Sequence, residues 1–255
     1  MSRLIIWRHG QTEWNATDRI QGHVDVGLDD IGRAQAAAAA KHIAAGHPDV
    51  IVSSDLRRAA DTAGALAAVT GLTVRLDRRL RERYFGDWQG MTNAEVLNAY
   101  PDEWARWRRG EPTAAAGIEY IDTLRERALD AMTDAAHLGG TVVVVTHGGT
   151  AKQAMGSMLG WPADVSSRVM ALMNCHWAEI QRHVNRGGWV LHSYNVGVVS
   201  GRSAASDRAA TSDRAAASDR AVASDRAVAP TDVAPGRRER TDDVSTAAAG
   251  GRLFD

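Results

Sequence analysis

A three-layer α/β/α sandwich with a mostly parallel central sheet, followed by a disordered C-terminal tail, is the architecture predicted for this chain of 255 residues. Three observations predict it. Short apolar segments alternate with segments of helical character through residues 1–201, which calls for strands joined by crossover helices. Residues 141–146 form an unbroken β-branched run, the pattern of a central strand covered on both faces. The composition then changes near Gly201: residues 202–255 hold nine arginines, nine acidic residues and six Leu, Ile, Val or Phe, too few for a core.

The elements follow in order. Residues 4–7 read as a short buried strand. Asp29 or Asp30 caps a helix running through Gln35 to about Ala45, closed by Gly46 and Pro48. A second strand at 50–53 leads to a helix at 55–70, stopped by Gly71, and a third strand at 73–76. Helices are expected at 95–100, 103–109 and 118–136, and the 141–146 strand is followed by a helix at 150–159 that Gly160 and Pro162 end. Late strands at 175–181 and 189–194 are joined through residues 185–188. In the tail, Ser-Asp-Arg begins at Ser206, Ser212, Ser218 and Ser224. A six-residue step turns a helix by about 240°, so the repeats give it no apolar stripe. Asp and Arg never stand three or four apart within the array, so the pairs that support isolated helices are missing. Residues 1–201 are therefore expected to be one domain and 202–255 a disordered tail, with a partner-binding segment as the alternative.

Composition narrows the function. Thirty basic and 31 acidic residues give a net charge of −1, without the basic excess of a nucleic-acid binder. Apolar residues make up 44%, enough for a core. Cys175 is the single cysteine, which excludes an internal disulfide framework and a zinc site of several thiolates. The apolar runs are too short to span a bilayer, and residues 4–7 are too short for a signal-peptide core. A cytoplasmic protein with no nucleic-acid or membrane partner is expected; a homodimer is left open.

Two histidines share one setting. His9 follows the first strand and Arg8, and precedes Gly10; His147 follows the 141–146 strand and precedes Gly148 and Gly149. Ligands of open α/β sheets bind at the carboxyl ends of strands, and glycines there let a ligand approach the backbone. A lone histidine at such a place reads first as a packed, hydrogen-bonded residue; two of them, one beside an arginine, point to a site. Arginine suits a phosphate, whose oxygens it binds bidentately. Arg57 and Arg58 open a helix after the second strand, where anions are also favoured. Glu82 follows the third strand. Histidines, arginines and one acid at strand ends suit phosphoryl transfer: a nucleophile, positive charge on the equatorial oxygens and a proton for the leaving group.

These segments carry a resemblance. RHGQTEWN (8–15), IQGHVDVGLDDIGRAQA (20–36), SSDLRRAADTA (53–63), LRERYFGDWQG (80–90) and VTHGG (145–149), in this order, resemble the histidine phosphatase superfamily in its phosphoglycerate-mutase-like branch, over residues 3–195. The resemblance implies that His9 is the nucleophile that becomes phosphohistidine. It implies that Arg8, Arg58 and His147 are the phosphate-pocket cations, with Asn15 as a pocket hydrogen-bond donor, and that Glu82 is the proton donor. Gln21 and Gly22 match a substrate-lining turn, and Gly10, Gln11, Thr12, Arg83, Tyr84, Phe85 and Gly148 belong to the same substrate-binding segments. Arg57 is expected at the surface. No metal or other cofactor is implied. In the implied mechanism His9 attacks as the neutral imidazole, its other ring nitrogen held by a backbone carbonyl. A protonated His147 joins the arginines in balancing the phosphoryl charge. Glu82 protonates the departing alcohol and then deprotonates the water that cleaves phosphohistidine.

The chain departs from the mutases. It has Gly-Gly-Thr after His147, where they carry Gly-Asn-Ser, and the segment between Gly90 and Ile118 is short and lacks their basic loop. Both departures favour a metal-independent phosphomonoesterase acting on a small phosphorylated metabolite. The phosphatases' Gly-Glu-Ser appears as Gly117-Ile118-Glu119-Tyr120, which leaves that side of the pocket undefined. DLRRAADTA, GDWQG and Asn174-Cys175-His176-Trp177 look most like actinobacterial phosphatases of glucosyl-3-phosphoglycerate. A cofactor-dependent mutase and a non-catalytic phospho-ligand-binding scaffold are the rivals. Trp104 and Trp107, beside Arg106, Arg108 and Arg109, read as an amphipathic helix with a solvated basic face, a cap over the pocket being the alternative. His42, His47, His137, His176, His183 and His192 are expected at the surface or in packing, and His23 lies near the pocket turn.

Overall fold

The β-branched run forms strand β4 (Thr141–Thr146), whose four valines are fully buried. In this computed structural model, which describes residues 2–111, 117–183, 185 and 187–198, β4 pairs in parallel with β1 (Arg3–Arg8) and with β2 (Val50–Ser53). β3 (Val74–Leu76) continues the parallel set beyond β2. β5 (Trp177–His183) and β6 (Gly188–Val196) add two antiparallel strands beyond β1, so the order is β3-β2-β4-β1-β5-β6. The sheet is mixed, with its parallel strands forming the larger part. Met1–Val199 make one compact unit. The tail at 202–255, and the disorder expected of it, lie outside the described residues.

Strand periodicity sorts the core into two layers. Leu4, Ile6, Val142 and Val144 face Ala128, Met132, Ala135, Ala151, Ala154 and Met155 of α6 (Ile121–His137) and α7 (Gly148–Leu159). Ile5, Trp7, Ile51, Val143 and Val145 face Ala36, Ala39, Ala40, Ala59, Ala63 and Leu66 of α2 (Asp30–Ala44) and α3 (Arg57–Thr70). Each buried valine of β4 contributes about 1.5–3 kcal/mol. A third, smaller cluster of Trp88, Val96 and Ile118 takes in Phe85, Tyr100, Trp104 and Trp107. It packs α4 (Asn93–Ala99) and α5 (Pro101–Arg108) beside a 3₁₀ turn at Gly86–Trp88. Trp104 and Trp107 turn inward onto Trp88, with ring centroids 6.0 and 5.6 Å away, while Arg106, Arg108 and Arg109 are exposed.

Several boundaries differ from expectation, each for a local reason. The helix expected at 55–70 starts at Arg57, because Asp55 forms a bidentate pair with Arg81. The helix expected at 118–136 starts at Ile121, because Glu119 hydrogen-bonds through its backbone to the Tyr84 carbonyl. α7 starts two residues early, at Gly148. β5 starts at Trp177 rather than Cys175, because Cys175 has φ +56°, a left-handed conformation incompatible with a strand. The four-residue helix α1 (Glu13–Ala16), α8 (Ala163–Arg168) and the 3₁₀ turns were not expected. Among the described residues no helix is long and apolar enough to cross a membrane.

Candidate active site

His9 stands at the end of β1, buried to 3% exposure. Its backbone N–H donates to the Thr146 carbonyl at the end of β4, 3.0 Å away, which ties the ring to the sheet. Its Nδ1 lies 2.7 Å from the Gly10 carbonyl. A carbonyl only accepts, so Nδ1 carries the hydrogen and Nε2 keeps its lone pair. Burial, then the charges of Arg58 and Arg8, hold the imidazole well below the ordinary histidine pKa, so it is neutral at pH 7.

Arg58 leaves the first turn of α3 and is 1% exposed. Three donors fix it: NH1 to the Val24 carbonyl at 2.9 Å, NH2 to the Gly22 carbonyl at 2.8 Å, and Nε to His147 Nδ1 at 3.2 Å. Burial lowers its pKa to about 10, which leaves it charged at neutral pH. Arg8 donates to the Leu172 carbonyl at 2.6 Å. Arg57, by contrast, is exposed. His147, at the end of β4, is fully buried, with its ring 5.1 Å from that of His9.

The protonated His147 expected from the sequence is corrected here. Its Nδ1 accepts from Arg58, so its hydrogen sits on Nε2 and is donated to Ser54 Oγ at 2.8 Å. Burial first, then Arg58, pushes its pKa well below the usual value. A second ring proton would point at the Arg58 guanidinium N–H, and no acceptor for it is found there among the described residues.

Glu82 caps α7. Its Oε2 accepts from Gly149 N–H at 3.0 Å, and its Oε1 from Thr150 N–H at 3.1 Å and Arg83 N–H at 2.9 Å. The free N–H groups of a helix start find acceptors in the two oxygens of Glu82. The acid is thus bound to the turn that carries His147. A Cβ at Gly149 would lie 2.6 Å from Glu82 Oε1, so a larger residue there would displace the carboxyl group.

The remaining predicted residues divide. Asn15 Oδ1 is surrounded by Thr12 N, Thr12 Oγ1 and Asn174 Nδ2 at 3.0–3.2 Å, which fixes its amide so that Nδ2 is the group turned to other partners. Gly22 has φ +52° and offers its carbonyl to Arg58. Gln21 is buried, and its Oε1 has no hydrogen-bond partner among the described residues. Arg83 lies over the Trp107 ring at 4.6 Å and donates to the Glu119 carbonyl at 2.7 Å. Tyr84 is exposed beside the His23 ring, while Phe85 packs on Trp107. Gly148 lies against Arg8; a Cβ there would be 3.4 Å from the guanidinium carbon.

Three residues have structural contacts of their own. Thr12 is fully buried as the cap of α1, bonded to Asn15. The Gln11 side chain donates to Asp29, the cap of α2. Gly10 was expected to be glycine for the approach of a ligand. Its small size also serves packing: a Cβ would lie 2.5 Å from the Gly32 carbonyl oxygen at the start of α2.

Sequence reasoning missed the residues that hold the others. Ser54 takes the His147 hydrogen. Asn174 Nδ2 and Cys175 N–H both donate to the His9 carbonyl, at 3.2 and 3.1 Å. The signal for them was the Asn174-Cys175-His176-Trp177 segment, whose role needed the fold. His23 Nε2 donates to the Glu82 carbonyl at 2.7 Å. His42, His47, His137, His183 and His192 are exposed. Among the described residues no cluster of three His, Cys, Asp or Glu could hold a metal ion.

Known proteins are similar to this chain in both sequence and fold. The model of the histidine phosphatase superfamily (branch 1) matches residues 4–197. A glucosyl-3-phosphoglycerate phosphatase of Mycolicibacterium vanbaalenii is 42% identical over 195 residues, 73% of this chain and 87% of that protein. Phosphoserine phosphatase 1 of Hydrogenobacter thermophilus is 35% identical over 150 residues, 58% of this chain and 71% of that protein. A solved mycobacterial glucosyl-3-phosphoglycerate phosphatase, in complex with VO3, superposes with a TM-score of 0.69 at 35% identity, over 77% of this chain and all of that one. Fold and sequence agree, and the chain belongs to the histidine phosphatase superfamily as a phosphatase of its branch 1.

Proposed function

We propose that this enzyme hydrolyses a small phosphorylated metabolite, of the sugar-phosphate or phosphoglycerate type, through a phosphohistidine intermediate and without a metal. One observation carries the proposal: His9 is neutral, with Nδ1 pinned to a backbone carbonyl and the lone pair on Nε2, under the charges of Arg58 and Arg8. Nε2 attacks phosphorus, the P–N bond forms, and the bridging P–O bond breaks. Arg8 and Arg58 offset the charge on the phosphoryl oxygens. His147, neutral, accepts from Arg58 and so orients that guanidinium rather than adding charge. The departing alkoxide takes its proton from the Glu82 carboxyl group. The resulting carboxylate then removes a proton from water, which attacks phosphorus and frees His9 and phosphate. Glucosyl-3-phosphoglycerate, the substrate named for the mycobacterial relatives, is the first compound to try, and phosphoserine the second. The setting is cytoplasmic and the partner a small phosphomonoester.

The test is phosphate release across a panel of phosphorylated metabolites, with a radiolabelled phosphoryl group followed on the protein. Acid-labile label on the enzyme and free phosphate in solution are expected. Transfer of label to added phosphoglycerate with little phosphate release would make the protein a mutase; neither release nor labelling would make it a binding scaffold.

A further inference from the structure

The segment that carries Glu82 lies between a 3₁₀ turn at Arg78–Leu80 and one at Gly86–Trp88, outside the sheet. Strand pairing therefore cannot hold it. One guanidinium does much of that work. Arg127, on α6, donates from NH1 to the Arg79 and Arg81 carbonyls, each at 2.7 Å, and from NH2 to the Glu82 carbonyl at 2.9 Å. Its Nε and NH2 also hold the two oxygens of Glu119, at 2.6 and 2.8 Å. All five N–H hydrogens of the guanidinium are thus engaged. Glu119 closes the other end of the segment. Its Oε2 accepts from Tyr84 N–H at 3.1 Å, its backbone N–H donates to the Tyr84 carbonyl at 2.9 Å, and its carbonyl holds Arg83 Nε at 2.7 Å.

The pair is shielded, with side chains 18% and 13% exposed. Burial works against ionisation of Glu119, but the hydrogen bonds from Arg127 and Tyr84 prevail and keep its carboxyl group below the usual carboxylate pKa. The partners of the pair are the acid-bearing backbone and its neighbours, whereas the phosphate cations are held by β1, β4 and the 22–24 turn.

We propose that Arg127 and Glu119 are positioning residues for Glu82, setting where its carboxyl group meets the leaving oxygen and acting on that proton transfer rather than on phosphate binding. The proposal rests on the assignment of Glu82 as the acid. Lysine cannot replace Arg127, because three tetrahedral donors do not reproduce a planar five-donor fork.

The experiment compares Glu82→Gln, Arg127→Lys, Glu119→Gln and the double variant Glu82→Gln/Arg127→Lys. Phosphoglycerate is the alkyl ester, and nitrophenyl phosphate is an ester whose leaving group needs no proton. Glu82→Gln should lower phosphoglycerate turnover by about 10²–10⁴ while slowing the nitrophenyl burst far less. Arg127→Lys should copy that selectivity, with kcat for phosphoglycerate falling about 10²-fold, the cost of a misplaced catalytic group, and KM within about threefold. Glu119→Gln should fall the same way by about tenfold. In the Glu82→Gln background, Arg127→Lys should cost less than about twofold, since the group it positions is already inert.

Equal losses on both esters for Arg127→Lys, or a loss in the Glu82→Gln background as large as in the parent, would overturn the proposal and leave a structural pair. Equal losses for Glu82→Gln itself would overturn the acid assignment instead. If Arg127→Lys does not fold, Glu119→Gln decides by the same pattern. If neither folds, the pair is a folding element and the proposal fails.

Discussion

The two halves of the active site are built by different means. His9 and His147 stand at the ends of adjacent parallel strands, and their positions follow from the β1–β4 register and from the N–H of His9 on the Thr146 carbonyl. Glu82 has no strand beneath it and is placed by the side chains of Arg127, Glu119, His23 and Thr150 and by the start of α7. The sheet side is rigid because it is part of the core. The acid side depends on individual hydrogen bonds, each of which can be removed without dissolving a hydrophobic layer. Damage to the backbone packing of the first half should therefore register in both folding and chemistry, and damage to the second mainly in chemistry.

The largest effect expected is on the nucleophile. His9→Ala should lower turnover by about 10⁴ or more and abolish acid-labile labelling, with the circular dichroism spectrum unchanged. Substantial turnover in this variant would remove the covalent step.

Two glycine substitutions compare the halves directly. Gly149→Ala puts a methyl group 2.6 Å from a carboxylate oxygen at the end of a side chain, which can move aside. It should cost about ten- to a hundredfold in alkyl-phosphate turnover and little in thermal midpoint. Gly10→Ala puts the same methyl 2.5 Å from the Gly32 backbone, which cannot move aside. It should cost about 1–3 kcal/mol of stability in a denaturant titration. The reverse pattern would mean that the acid loop, not the strand end, is the rigid half.

Stability against pH sharpens the point. His9 and His147 have folded-state pKa values well below 6.5, because burial and the arginines disfavour their charged forms. Below pH 6.5 the unfolded chain therefore binds protons that the folded chain refuses. Stability is complete above that pH and falls as the pH drops, by up to about 1.4 kcal/mol per pH unit for each histidine. Denaturant midpoints at pH 7.5 and 5.5 should show the decline, and His9→Ala should make it shallower. An unchanged slope would mean that these histidines are charged in the native protein. The smallest effect expected is from removal of residues 202–255, which carry few apolar side chains: catalytic efficiency should stay within about twofold and the thermal midpoint nearly constant.

What was legible in the sequence follows the same division. The β-branched run at 141–146 could be read as a central strand because local composition alone specifies it. Arg8, His9 and His147 could be picked out because each sits at a strand end, and Arg58 and Glu82 because their segments follow in the motif order of the family the sequence resembles. The supporting contacts could not. Arg127 lies 45 residues from the carbonyl it holds in Glu82, and Asn174 lies 165 from the carbonyl of His9. The charge state of His147 was misjudged because a sequence reveals which cations gather round a phosphate but not that Arg58 aims an N–H at Nδ1. Cys175 looked like strand because its composition is apolar, and only its left-handed backbone excludes it.

The strand order has a consequence for the timing of folding. β1, the first strand to be synthesised, is flanked by β4 and β5, which come more than a hundred residues later. Contacts of such long range make for slow assembly, because loop closure has to precede any reward. The carbonyl of His9 is gripped by Asn174 and Cys175, just ahead of β5. A growing chain thus has no organised nucleophile until nearly the whole domain exists. Phosphatase activity should therefore appear late and abruptly during synthesis, and a nascent chain ending before Asn174 should be catalytically silent.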